Sequence, residues 1–274
     1  MMRKIKYPLV VSDFDGTLVR KDGTIGEFSK KAIAEYINSG GRFVLSSGRM
    51  PSSILRRAKE LGLKGVISAH NGSVLLDIDN GKIFSQQKLD CDLALEACRD
   101  FQNKGIHTHL YDFDKFYANM DDEPLRAYAK ATNEDAIVKT DLVSFISETG
   151  FCPYKILIMV KAEDLQRIFA YLTQKYGDRC YVTCSSRHFI ELCNKNCSKG
   201  TAVEFFAKYF HLPLDKVIAI GDQLNDLPML TTAGLGIAVK NCQESLKEKV
   251  FVFDYSNEED AVGRIIEKYA YEEE

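Results

Sequence analysis

The stretch that most constrains this chain is Pro8-Leu9-Val10-Val11-Ser12-Asp13-Phe14-Asp15-Gly16-Thr17-Leu18, an apolar run that ends in two carboxylates two residues apart. The run reads as a short buried strand. Side chains alternate faces in an extended segment, so Asp13 and Asp15 are expected to point the same way at the strand's end. Two carboxylates ~4 Å apart repel by roughly 4 kcal/mol at an effective dielectric near 20. A chain that places them at the mouth of a buried strand needs a cation there. Gly16 gives a permissive backbone for leaving the strand, and Thr17 a hydroxyl to hold the turn. The bland reading is an Asp-Gly turn; the functional one is a divalent-metal site with a nucleophilic carboxylate, and the rest of the chain decides between them.

A helical pattern runs from Ser29 through Ala32, Ile33, Tyr36 and Ile37 and stops at Gly40-Gly41. Arg42 to Ser46 is the next apolar run, followed by Ser47-Gly48-Arg49. Pro51 opens a second helix to Leu61-Gly62, with proline suited to the first turn. Gly65 to Ala69 is a third strand, leading into His70-Asn71-Gly72. Strands alternating with helices imply βαβ units and a parallel sheet.

From about Ser85 the texture changes. A helix from Cys91 to Lys104, strands Ile106 to Tyr111 and Phe116 to Asn119, and a helix near Asp121 to Thr132 follow one another. Strand Tyr154 to Val160, helix Ala162 to Tyr176 and extended segments Cys180 to Cys184 and His188 to Cys193 complete this α+β layer. The βα grammar then returns. Ser198 caps a helix to Phe210, and strand Lys216 to Ile220 ends in Gly221-Asp222-Gln223-Leu224-Asn225-Asp226. Helix Leu227 to Thr232, strands Leu235 to Val239 and Val250 to Phe253, and helix Glu258 to Tyr269 close the pattern. The expected fold is α/β, a doubly wound, Rossmann-like parallel-sheet core of residues 1–84 and 188–274 interrupted by an α+β cap of residues 85–187.

At 274 residues, two domains are the natural expectation. Apolar residues at 45% and charged residues at 27% describe an ordinary soluble protein. A net charge of -3 leaves no electrostatic footprint for nucleic acid. No apolar run nears the ~20 residues of a membrane span, and Met1 to Lys6 lacks a signal-peptide core, so a cytoplasmic location is expected. The eight cysteines contain no Cys-x-x-Cys pair and no zinc spacing, so they are expected to be reduced core thiols. The histidines at 70, 107, 109, 188 and 211 are expected to be structural or on the surface, although His107 and His109 share a strand face that could reach a substrate. The sequence carries no signal of oligomeric state.

Four features fall at the C-terminal ends of expected strands or the start of the helix after them, the edge where open α/β sheets bind ligands. They are Asp13 with Asp15, Ser47-Gly48-Arg49, Lys199, and Asp222 with Asn225 and Asp226. Each alone has a dull explanation as a turn or a solvated charge. Together they form a phosphate site with a metal: carboxylates suit Mg²⁺, and a hydroxyl, backbone N–H groups and an ammonium suit a phosphoryl group.

These motifs resemble those of the haloacid dehalogenase phosphatase superfamily. Asp13-Phe14-Asp15-Gly16-Thr17-Leu18 matches its first motif, Ser47 the second, Lys199 the third, and Gly221-Asp222 with Asn225-Asp226 the fourth. Asn71-Gly72 and Met229-Leu230 through Gly236 resemble the Cof-type branch with the large subtype-B cap. Ser47 stands where threonine is common, and Cys242 and Ala261 replace small residues usual in the tail. The resemblance implies a Mg²⁺-dependent phosphatase acting on small phosphorylated metabolites, sugar phosphates first, through an aspartyl-phosphate. It implies Asp13 as nucleophile, Asp15 as general acid and base, and Ser47 and Lys199 as catalytic stabilisers of charge. Ser47, Gly48, Lys199 and Asn225 would bind the phosphate. Asp13, Asp15 (through its carbonyl), Asp222, Asn225 and Asp226 would form or orient the metal site, and Arg49 and Asn71 would recognise substrate. Two alternatives carry similar residues: a sugar phosphomutase, and a non-catalytic phospho-receiver module, against which the insert and the Asp-x-Asp pair argue.

Overall fold

A computed structural model describes residues 3–272. The chain opens with β1 (Leu9–Ser12), α1 (Glu27–Asn38), β2 (Arg42–Leu45), α2 (Pro51–Glu60), β3 (Val66–Ala69), β4 (Val74–Asp77) and β5 (Ile83–Gln86). The middle carries α3 (Cys91–Asn103), β6 (His107–Tyr111), β7 (Phe116–Ala118), α4 (Glu123–Thr132), β8 (Ala136–Val138), α5 (Leu142–Thr149), β9 (Lys155–Met159), α6 (Leu165–Tyr176), β10 (Cys180–Ser186) and β11 (Phe189–Asn194). The last third holds α7 (Lys199–Tyr209), β12 (Val217–Gly221), α8 (Leu227–Thr232), β13 (Leu235–Ala238), α9 (Glu244–Lys247), β14 (Phe251–Val252) and α10 (Ala261–Tyr269).

Two compact units result. One comprises the chain up to Arg49, Ile54–Ser85 and the chain from Ser198 onward; the other comprises Met50–Ser53 and Gln86–Cys197. The first contains a five-stranded sheet in the order β14-β13-β12-β1-β2, with all its pairings parallel. β1 lies between β12 and β2, which explains its unbroken apolar run: a strand covered on both faces has no polar side to alternate with. Leu9, Val10 and Val11 are all fully buried. Leu9 and Val11 pack with Val203 and Phe206 of α7 and Met229 and Leu230 of α8. Burying a side chain the size of Phe206 stabilises the fold by about 1.5–3 kcal/mol.

Register decides where the chemistry sits. Ser12 is the last paired residue of β1, opposite Leu45 of β2 and Ile220 of β12. Asp13 N–H donates to the Ile220 carbonyl, and Ser46 N–H to the Ser12 carbonyl. The segments after β1, β2 and β12 therefore leave the sheet at one edge, side by side. β3 joins this edge through a single parallel bridge, Ser46 to Ser68, and otherwise pairs antiparallel with β4 in a small sheet with β5. The sequence reading has β3 but misses β4 and β5, which are separated by the tight turn at Asp77–Lys82.

The second unit holds a six-stranded sheet ordered β10-β11-β9-β6-β7-β8, antiparallel except for β7 with β8. β8 and α5 are missed by the sequence reading because both are short and half-exposed. The sequence boundary at 187/188 is corrected here. β11 is hydrogen-bonded along its length to β10 and β9, so the second unit continues to Cys197. The expectation for cysteine is corrected as well: Cys91 and Cys152 form a disulfide, with Cα atoms 4.9 Å apart across 61 residues of sequence. The other six are free and buried. No helix among the described residues is long and apolar enough to cross a membrane.

Candidate active site

β1 ends before Asp13, so the period-two rule does not carry through Asp15, and the two carboxylates part company. Gly16 has φ +76, which turns the chain, and a Cβ there would lie 2.6 Å from Asp222 Oδ2. Glycine is required at that close approach. Asp13 is 5% exposed and faces inward. Asp15 is exposed and is gripped by Arg49, whose Nε donates to Oδ2 at 2.7 Å and whose second guanidinium nitrogen donates to Oδ1 at 2.8 Å. The expectation that both carboxylates converge is thus replaced by one buried and one clamped at the surface.

Lys199 is the hub of the buried part. It is the first residue of α7, where Ser198 caps the helix and pairs with Thr201 in a capping box. That box fixes the start of the helix and with it the direction of the Lys199 side chain. Its ammonium donates to Asp13 Oδ1 and to Asp226 Oδ1, each at 2.5 Å, with 1% of its side chain exposed. Asp226 spends its other oxygen on the N–H groups of Asp222 and Gln223, at 2.8 and 2.9 Å. Asp222 in turn accepts from Thr17 Oγ1 at 2.8 Å and from Gln223 Nε2 at 2.9 Å. Thr17 therefore holds an acid from another motif rather than its own turn.

Asp13, Asp222 and Asp226 bring their carboxylate oxygens within 4.8 Å of one another. Three acids facing one ammonium leave excess negative charge in a buried place, and the titration of the groups reflects it. Burial pushes the Asp13 carboxyl well above the usual carboxylate range; Lys199 opposes this, while Asp226, Asp222 and Asp15 reinforce it. Burial, then Asp226, pushes Asp222 up to about 7 against its donors Gln223 and Thr17. For Lys199, burial favours the neutral amine, but Asp13 and Asp226 outweigh it and hold the ammonium above its ordinary value. Asn225 is 4% exposed; its Nδ2 donates to Asn71 at 3.1 Å, while its Oδ1 is a buried acceptor with no hydrogen-bond partner among the described residues. Oxygen donors, surplus negative charge and an open acceptor together fit a hard divalent cation.

Ser47 is 1% exposed, and its Oγ accepts from Arg49 N–H at 3.1 Å, leaving the hydroxyl hydrogen to donate elsewhere. Gly48 lies against Asn71, whose Oδ1 would be 3.0 Å from a Cβ at that position. Asn71, expected to recognise substrate, is fully buried, with its side-chain oxygen accepting from Asn225. Arg49 is paired with Asp15 rather than open to a ligand. His107 and His109, expected to be structural or on the surface with a shared strand face that could reach a substrate, are buried in the second unit; their Nε2 atoms are 3.0 Å apart, and His107 Nδ1 lies 3.1 Å from Asp122. The sequence reading did not single out Thr17 or Gln223 as partners of Asp222. A hydroxyl two residues past an acid was the only trace of the first.

Comparison with known proteins agrees with this architecture. The sequence profile of haloacid dehalogenase-like hydrolases matches residues 10–266. A Haemophilus influenzae protein is 31% identical over 263 residues, covering 96% of this chain and 98% of its own. The HMP-PP phosphatase of Yersinia enterocolitica is 25% identical over 244 residues, covering 89% of this chain and 88% of its own. The crystal structure of a haloacid dehalogenase-like hydrolase from Bacteroides thetaiotaomicron superposes with a TM-score of 0.78 at 26% identity, covering 96% of this chain and 99% of its own. The chain belongs to the haloacid dehalogenase-like hydrolase family.

Proposed function

We propose that the protein is a phosphatase of small phosphate monoesters, sugar phosphates favoured, that works through an aspartyl-phosphate on Asp13. The observation that carries this reading is the position of Asp13: a buried carboxylate, 2.5 Å from Lys199 and clustered with Asp222 and Asp226. Unlike Asp226, which spends its second oxygen on two backbone amides, Asp13 is held by Lys199 at the end of β1, as a desolvated nucleophile needs to be. The haloacid dehalogenase profile and the phosphatase named among the relatives support the same reaction class.

In this reading Mg²⁺ would be held by Asp13, the Asp15 carbonyl and Asp222, and when bound it supplies positive charge beside the transferring group. Both Asp226 oxygens are spent on Lys199 and the loop amides, so Asp226 organises the site. The open Asn225 oxygen suits a metal-bound water. Asp13 Oδ attacks phosphorus as the P–O bond to the leaving group breaks. Asp15 gives its proton to the departing alkoxide, then takes one from the water that opens the aspartyl-phosphate, releasing inorganic phosphate and restoring Asp13. Ser47, the amide of Gly48 and the Lys199 ammonium stabilise the charge on the transferring oxygens.

The test is a panel of phosphorylated metabolites with Mg²⁺, reading released phosphate, together with borohydride trapping of the intermediate. Release that needs the metal, and reduction of Asp13 alone to homoserine, are expected. Full turnover after complete chelation, or trapping at another residue, would overturn the reading.

A further inference from the structure

The connection between β3 and β4 is not built like a connector. It spans His70 to Ser73, between the paired residues Ala69 and Val74. Loops between antiparallel strands normally lie on the surface. Here His70, Asn71 and Gly72 have φ values of 47, 56 and 96, three left-handed residues in succession. Asparagine enters that conformation more readily than most residues with a Cβ, so the choice of Asn at 71 fits the turn. Two such residues and a glycine in a row still leave the segment with little freedom to relax. His70 and Asn71 are nonetheless 0% exposed. Strain of this kind persists only where the surroundings enforce it, and it collects at functional sites.

What the turn touches explains the enforcement. The N–H of Asn71 donates to the Ser47 carbonyl, and the N–H of His70 to the Arg49 carbonyl, each at 3.0 Å. The Asn71 side-chain oxygen accepts from Asn225 at 3.1 Å and backs directly onto Gly48. Gly72 presses so closely on the Ser198 carbonyl that no Cβ fits between them. One strained turn thus abuts three loops: the one holding Ser47 and Gly48, the one holding Asn225, and the residue that precedes Lys199.

We propose that Asn71 is a positioning residue: its left-handed backbone and its carboxamide lock the Ser47–Arg49 loop to the Asn225 loop and so set the phosphate cradle. This rests on the phosphatase reading for its effect on rate, but not for its effect on the loop. Asn71 touches no reacting atom. It acts through Ser47, Gly48 and Asn225.

The test compares Asn71→Gly, which keeps the left-handed backbone and removes the carboxamide, with Asn71→Ala, which strains the one and removes the other. Melting, turnover of p-nitrophenyl phosphate, inhibition by inorganic phosphate and amide exchange at Gly48 are measured with the full-length protein. Asn71→Gly is expected to melt within a few degrees of the parent. Its kcat should fall about tenfold and its phosphate inhibition constant rise about fivefold, since stabilisation of the transferring group is lost. Gly48 exchange should be about tenfold faster, because the loop opens locally. Asn71→Ala should lose the same rate and also melt lower. Joined to Asn225→Ala, Asn71→Gly should cost no further rate than the slower single variant, as for two residues acting through one contact. A simple spacer predicts a different pattern: Asn71→Gly with parental kcat and parental Gly48 exchange, whatever its melting temperature. That result, or strictly multiplicative losses in the double variant, would overturn the proposal. Should the parent protein turn over no monoester at all, the phosphatase reading falls, and Gly48 exchange alone decides whether Asn71 locks the loop.

Discussion

Arg49 holds both carboxylate oxygens of Asp15, at 2.7 and 2.8 Å, in a two-pronged pairing. Each oxygen accepts one hydrogen bond from a rigid fork, which fixes the plane and direction of the carboxylate. The guanidinium also lies over the Phe14 ring, 5.2 Å from its centroid, which steadies it. Arg49 is therefore placed to aim Asp15, and a lysine cannot reproduce the fork.

The first prediction follows. Arg49→Lys should slow substrates whose leaving group needs a proton and spare those whose leaving group does not. The expected loss is about tenfold or more in kcat/KM for an alkyl phosphate and within about threefold for p-nitrophenyl phosphate. Equal losses for both would show that Arg49 serves binding and not Asp15.

Asp13→Asn separates stability from activity. An amide is a very poor nucleophile, so turnover should drop at least about a thousandfold. The same change relieves one of three crowded buried acids, so the metal-free variant should melt no lower than the parent. Retained turnover would remove Asp13 from the nucleophile's place.

Lys199→Met tests the opposite charge. It leaves Asp13 and Asp226 buried without their shared cation, and breaking a buried pair in this way costs roughly 3–5 kcal/mol. Acid should relieve it, because protonated carboxyls no longer need the ammonium. Melting curves in chelator at pH 5 and pH 8 are expected to show the larger deficit at pH 8. A deficit equal at both values would mean that lost packing, not charge, is responsible.

Asp222 gives a pH dependence whose sign can be worked out. Its carboxyl is pushed up to about 7, above its unfolded value. Such a group contributes stability below the unfolded pKa and loses it as pH rises through the folded one. The metal-free protein should therefore lose stability between pH 5 and 8, and a divalent cation should restore it by replacing the proton. Mg²⁺ affinity by calorimetry should be about tenfold weaker at pH 6 than at pH 8, with a proton released on binding at pH 6. Affinity flat across that range would show that Asp222 is not a ligand.

Much of this was readable from the residues. β1, flanked by β12 and β2, has the apolar run that double burial demands, and the helices with strong periodicity sit where the pattern puts them. Lys199 and Ser198 were legible because a cap and a helix start have a local signature. What was hidden is long-range. Thr17 reaches a residue 205 positions away, and no local rule announces that partner. Asn71 sits in a turn whose burial depends on three loops that close around it. The parting of Asp13 from Asp15 escaped the alternation rule because the strand stops one residue before the rule is applied. Cys91 and Cys152 were hidden for the same reason, lying far apart in sequence until the segments before α3 and before β9 are laid side by side.

That disulfide supplies the last prediction. Leu89 N–H donates to the Pro153 carbonyl, and Tyr154 donates through its hydroxyl to Gln86 at 2.6 Å, so hydrogen bonds already lace the segment before α3 to the residues just after Cys152. The bond closes a loop across 61 residues inside the second unit. In the chain-entropy account, a loop of that length contributes roughly 4 kcal/mol by restricting the unfolded chain. None of the residues bonded to Asp13, Lys199 or Asp222 belongs to that unit among the described residues. Cys91→Ser should therefore lower the melting temperature of the second unit while leaving chelator-controlled Mg²⁺ affinity at the acidic site unchanged. Differential scanning calorimetry with and without a dithiol reductant measures the first, and titration calorimetry the second. Reductant should lower the parent's transition and leave that of Cys91→Ser where it was. If reductant shifts both proteins alike, the stabilisation does not come from this bond.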